Sequence, residues 1–98
     1  MYSIDYFIDK LSKIPEEQWC TGAFQRSKHM RCALGHCGET NDRSTPEGEA
    51  LRVLFGKCVT SIVSVNDGEL FSAEALALAA PTPKERILNA LRVIKESC

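Results

Sequence analysis

The sequence has little excess charge of either sign. Twelve basic residues face thirteen acidic ones, a formal net charge of −1. This balance removes the bulk attraction on which phosphate-backbone binding rests, so nucleic acid is not an expected partner. Long apolar runs are missing too. The longest, Ala75 to Ala80, is far shorter than the roughly 20 residues that a membrane helix needs, so no membrane partner is expected. The opening MYSIDYFIDKL has neither the basic start nor the apolar core of a secretory signal. Neither GxxxxGK[ST] nor GxGxxG occurs, so the usual phosphate cradles are absent from the sequence. The cysteine count is odd, with Cys20, Cys32, Cys37, Cys58 and Cys98. Without a secretory signal these read as reduced thiols of a cytoplasmic protein, mostly small core residues.

What is present suits one domain over residues 1–98. A chain of 98 residues buries roughly two-thirds of its unfolded surface, enough for one core without staples. A 44% hydrophobic and 26% charged composition excludes the disordered and low-complexity classes.

The chain is organised around Trp19 to Gly38, WCTGAFQRSKHMRCALGHCG, which holds the only Trp, both His and three of the five Cys. Before it, Ser3 is placed to cap a helix with Asp5 in its first turn. Ile4, Phe7, Ile8, Leu11 and Ile14 recur on one face, Lys10 and Lys13 suit the far end, and Pro15 stops it. Pro15 to Trp19 predicts a single turn. Residues around Gly22 suit an extended segment, Ser27 to His29 a turn, and MRCAL a return strand, which together make a short β-hairpin. A short helix from Cys32 through Cys37 competes for the return, limited by Gly35 and suited to a left-handed cap at Gly38.

Residues 38–49 predict a loop that ends in a helix start. Ser44 or Thr45 caps, Pro46 enters the first turn, and Glu47 stands three after Ser44 as a capping box asks. Ala50, Leu51, Leu54 and Phe55 make the buried face, and Gly56 is expected to end the helix. Val59, Ile62, Val63 and Val65 favour a strand by propensity, whereas the spacing of the first three fits a helix. We expect helix first and an extended exit over Ser64 to Asp67. Phe71 to Ala80 predicts a loop with one helical turn from Ser72. Thr82 to Glu85 is a second capping box, and Ile87, Leu88, Leu91 and Ile94 are the face of a last helix running nearly to Cys98. The expected fold is mainly α: a small single-domain bundle of three or more helices, with a short β-hairpin near residues 19–34.

The strings WCTGAF, RCALGHCG, EGEALRVLF and SIVSVNDG are now in view. Their order resembles a family of small uncharacterised domains encoded by phages and bacteria, from about Phe7 to Ile94. The resemblance implies a small cytoplasmic protein of phage or mobile-element origin, and it implies no catalytic residues.

Three constellations can carry chemistry. Zinc asks for four thiolate or imidazole ligands, and Cys32, His36 and Cys37, with His29 and Cys20 near in sequence, are the candidates. Their short spacing is met within this one cluster, and no Cys-x-x-Cys half exists elsewhere. The bland alternative buries the thiols and hydrogen-bonds His36. A nucleophilic set would use Cys32 or Cys20 with His36 and Asn66 or Asp67, and a thiol at a helix N-terminus would have a lowered pKa. Asn66-Asp67-Gly68 is first of all a turn, from which Asp67 can reach the Trp19–Cys37 stretch. Trp19 more often fills a core than stacks on a ligand. Arg26, Lys28, His29 and Arg31 form a local basic group that fits an exposed tip. Arg31 or Arg43 beside a helix N-terminus suits a small anion.

The resulting expectation is a non-enzymatic binding protein that acts on a host protein or a small anionic ligand, through Trp19, Arg31, His36, Asn66 and Asp67. A Cys32/His36 enzyme and a zinc-stabilised module are the alternatives. No cofactor is expected. Homodimerisation through the apolar helices is open.

Overall fold

The computed structural model describes residues 2–26, 30–40, 42–58, 61–68 and 80–97. Among them the fold is mainly α, with five α-helices and one 3-10 turn. Helix α1 (Ile4–Ser12) starts where Ser3 Oγ accepts the Tyr6 N–H at 3.1 Å. Its apolar stripe turns Phe7 and Leu11 fully inward. The 3-10 turn Glu16–Gln18 then leads to an irregular segment. The expected hairpin is reduced to a remnant: among the described residues Gln25 and Arg31 form an antiparallel bridge, with Arg26 N–H to Met30 O at 2.9 Å and Cys32 N–H to Phe24 O at 3.3 Å, and no strand extends from it. Arg31 is bridged to Trp19 in parallel and to Gln25 antiparallel. The segment therefore folds back on itself as a knot, with Gly22 at φ +76° supplying a left-handed bend.

Helix α2 (Ala33–His36) is one turn, capped by Cys32. It ends in the left-handed cap expected at Gly38, φ +89°. The Gly38 N–H reaches Gly35 O and the Glu39 N–H reaches Leu34 O, the paired bonds of a Schellman closure. Helix α3 (Pro46–Cys58) is capped by Thr45, whose Oγ1 accepts the Gly48 N–H at 3.1 Å. The Ser44–Glu47 box is thus replaced. Glu47 instead takes the Tyr6 hydroxyl and, at 2.7 Å, the Lys10 ammonium of α1. Buried Glu39 pairs with Arg52 of α3 at 2.7 Å.

Gly56 does not end α3, which runs on to Cys58. An exposed glycine costs a helix only about 1 kcal/mol relative to Ala, too little to stop one that is packed on its other face. Helix α4 (Ile62–Asp67) also departs from expectation. Ser64 to Asp67 are helical, because Val65 and Asn66 are buried and Gly68 closes the helix at φ +79°. Helix α5 (Pro83–Ser97) begins at Thr82, whose Oγ1 accepts the Glu85 N–H at 3.2 Å.

Helix α5 is the spine of the bundle, packing against α1, α3 and α4. Ile87, Leu88, Leu91 and Ile94 lie inward as their spacing predicted. They join Phe7, Leu11, Trp19, Leu34, Leu51 and Phe55 in one core. Among the described residues no helix is long and apolar enough to cross a membrane. The turn predicted at Ser27–His29, the segment from Phe71 to Ala79 and Cys98 lie outside the described residues.

Candidate functional site

Asn66 closes the site. It is only 2% exposed, and a buried carboxamide must be hydrogen-bonded to be tolerated. Its Oδ1 accepts the Ala33 N–H at 3.1 Å, at the start of α2. Its Nδ2 donates to Cys20 O at 2.9 Å and to Asp67 Oδ1 at 3.0 Å. Asp67 Oδ1 in turn accepts the Gly22 N–H at 3.1 Å. Asp67 therefore does reach the Trp19–Cys37 stretch, and the end of α4 is stitched to both the knot and α2.

Arg86 supports this end from behind. It is nearly buried, and its guanidinium donates to Val65 O at 3.0 Å, Asn66 O at 2.7 Å and Ala80 O at 2.8 Å. Carbonyls at a helix C-terminus lack partners within the helix, and a planar five-donor fork serves several at once.

Between these elements lies a cleft of about 180 Å³. Ala23, Phe24, Leu34, Ile62 and Val63 give it an apolar lining, with Cys32, Asn66 and Asp67 on its polar side. Val63 is 46% exposed at the rim. Small-molecule pockets commonly run from roughly 300 Å³ upward. This one has the size of a single large side chain.

Two of the described thiols are engaged by backbone. Cys32 Sγ accepts the Gly35 N–H at 3.4 Å as the cap of α2. The lowered pKa expected at a helix N-terminus is overturned: burial pushes the Cys32 thiol up, and the Gly35 and Leu34 N–H groups offset this only in part. Burial likewise raises Cys37, to about 12, and the nearby Glu47 carboxylate adds to the effect. Cys20 Sγ donates to Ala23 O at 3.4 Å. A nucleophile or metal ligand needs the thiolate, which burial disfavours here. Among the described residues no three His, Cys, Asp or Glu side chains converge to hold a metal. His29 lies outside the described residues.

The ligand set expected from sequence splits in two. Asn66 and Asp67 line the cleft, with Cys32. Trp19, His36 and Arg31 do not. Trp19 is in the core, its indole N–H donating to Ile14 O at 3.3 Å and its ring 5.1 Å from that of His36. His36 Nε2 bonds Gln18 O at 2.9 Å, and burial lowers its pKa, so the neutral ring donates there. Arg31 is exposed.

Sequence reasoning missed Phe24, Ile62 and Val63 as lining and Arg86 as support. Arg86 carried a signal: it stands four before Ala90 and eight before Ile94, hence on the buried face of α5. The cleft carried none, since three separate segments build it. No family model, curated protein or solved structure matches this chain.

Proposed function

We propose that this is a non-enzymatic binding protein whose cleft docks one aliphatic side chain of a partner protein. The carrying observation is the lining: apolar walls of side-chain size, an exposed valine at the rim, and an asparagine whose hydrogen-bonding groups are already used. Such a site offers burial and few polar contacts, which is how an anchor residue of a protein–protein interface is held. The raised thiol pKa values support a binding role over a Cys32/His36 enzyme. A phage or mobile-element origin and action on a host protein in the cytoplasm rest on the motif resemblance and on the free thiols of Cys20, Cys32 and Cys37.

Titration of isotope-labelled protein with N-acetyl-leucinamide tests the reading. Burying one leucine side chain contributes about 1.5–3 kcal/mol, so weak binding with a Kd of roughly 10–100 mM is expected. Amide shifts should concentrate at Gly22, Ala23, Phe24 and Val63. N-acetyl-alaninamide should bind far more weakly, and Val63→Asp should abolish the response. Equal response to both probes, or shifts elsewhere, contradicts the reading.

A further inference from the structure

We propose that the docked segment carries a lysine or arginine beside its aliphatic anchor, and that Asp67 selects for it. This rests on the docking function above. Among the lining residues only Asp67 and Cys32 can ionise, and burial keeps the Cys32 thiol protonated. Asn66 is committed to Ala33, Cys20 and Asp67. Among the described residues the lining therefore holds no cation to receive an acidic segment, which would meet the Asp67 carboxylate. A basic one meets an opposite charge.

Among the described residues Arg86 lies close enough for its charge to act on Asp67, yet its guanidinium hydrogen bonds are spent on backbone, the three carbonyls that hold it behind α4. Arg26 donates Nε to Thr21 O at 2.8 Å, with its guanidinium over Gly22. Neither lines the cleft, and the ion pairs of the described residues do not include Asp67. Asp67 is half-buried at the end of α4, where its Oδ1 is fixed by the Gly22 N–H and the Asn66 amide. A fixed carboxylate loses little side-chain freedom on pairing, which removes a main cost of a surface ion pair.

Four doubly capped dipeptides test this by amide-shift titration: Leu-Lys, Leu-Gln, Leu-Glu and Ala-Lys. Leu-Lys should bind about three- to fivefold tighter than Leu-Gln, the range of a partly exposed ion pair, with Leu-Glu weakest. The preference should shrink as salt is added. Asp67→Asn keeps the oxygen that accepts the Gly22 N–H and removes the charge. It should bring Leu-Lys level with Leu-Gln and remove the salt dependence of the difference between them. Equal binding of the three leucine peptides overturns the charge selection and leaves the docking function standing. A preference for Leu-Lys that survives Asp67→Asn overturns the role of Asp67. Ala-Lys binding as tightly as Leu-Lys, or no binding by any peptide, overturns both.

Discussion

Asn66 Oδ1 accepts the Ala33 N–H at 3.1 Å, across 33 positions of sequence. This single contact locks the end of α4 to the start of α2, and the cleft is the space between them. Asn66→Ala should leave the Ala33 N–H and the Cys20 carbonyl buried without partners. Each orphaned group costs about 1–3 kcal/mol, so a total loss of about 2–5 kcal/mol is expected. Urea unfolding should show it as a lower midpoint. A change under about 0.5 kcal/mol, the range of an ordinary surface substitution, would refute the locking role.

Arg86→Lys should fail to replace the arginine. A single ammonium on a flexible stem does not span the carbonyls of Val65, Asn66 and Ala80. The expected loss is about 2–4 kcal/mol, at about 4–8 °C of melting temperature for each kcal/mol in a domain this small. Arg92, exposed on the same helix, provides the control, with Arg92→Lys near neutral.

Glycine substitutions should go in opposite directions at Gly35 and Gly56. A Cβ at Gly35 would overlap the Phe24 carbonyl oxygen, and backbone on both sides cannot yield. Gly35→Ala should lose about 3 kcal/mol or more, or fail to fold, by the overpacking that close contact imposes. At Gly56 a Cβ meets open space within α3. Gly56→Ala should gain about 0.5–1 kcal/mol from helix propensity. Thermal melts of the two variants check both signs.

Much of this architecture is local and therefore readable. The stripes of α1 and α5 and the left-handed cap at Gly38 follow from spacing and side-chain chemistry within a few residues. The errors come from contacts distant in sequence. Ser64 to Asp67 are held helical by Arg86, about twenty positions on, which donates hydrogen bonds to the carbonyls of Val65 and Asn66. The hairpin shrinks to one antiparallel bridge, Gln25 to Arg31, and the pairing that spacing alone did not show is the parallel one from Arg31 to Trp19. For Cys32 the cap position was foreseeable, but the direction of its pKa was not. That direction depends on how far burial outweighs two N–H groups.

Stability should fall at both ends of the pH range. His36 has its pKa lowered below 6.5 in the folded chain, chiefly by burial. The unfolded chain thus binds its proton first, and stability is lost as pH drops through and below 6.5. His36→Gln should flatten this acid limb. Cys37 moves from 9.0 to about 12, so the folded state holds its proton longer. Stability present below pH 9 should decline toward pH 12, at most by about 1.4 kcal/mol per pH unit for one thiol. Cys37→Ala should flatten that limb, and unfolding midpoints across pH for the three proteins test both slopes.

The docking function is tested most directly by nuclear Overhauser effects from the methyl groups of bound N-acetyl-leucinamide. The geometry predicts cross-peaks to the Phe24 ring and to the methyls of Ile62 and Val63, which line the cleft together. Cross-peaks to the exposed Tyr2, Tyr6, Val53 or Val93, with none to Phe24, would contradict it.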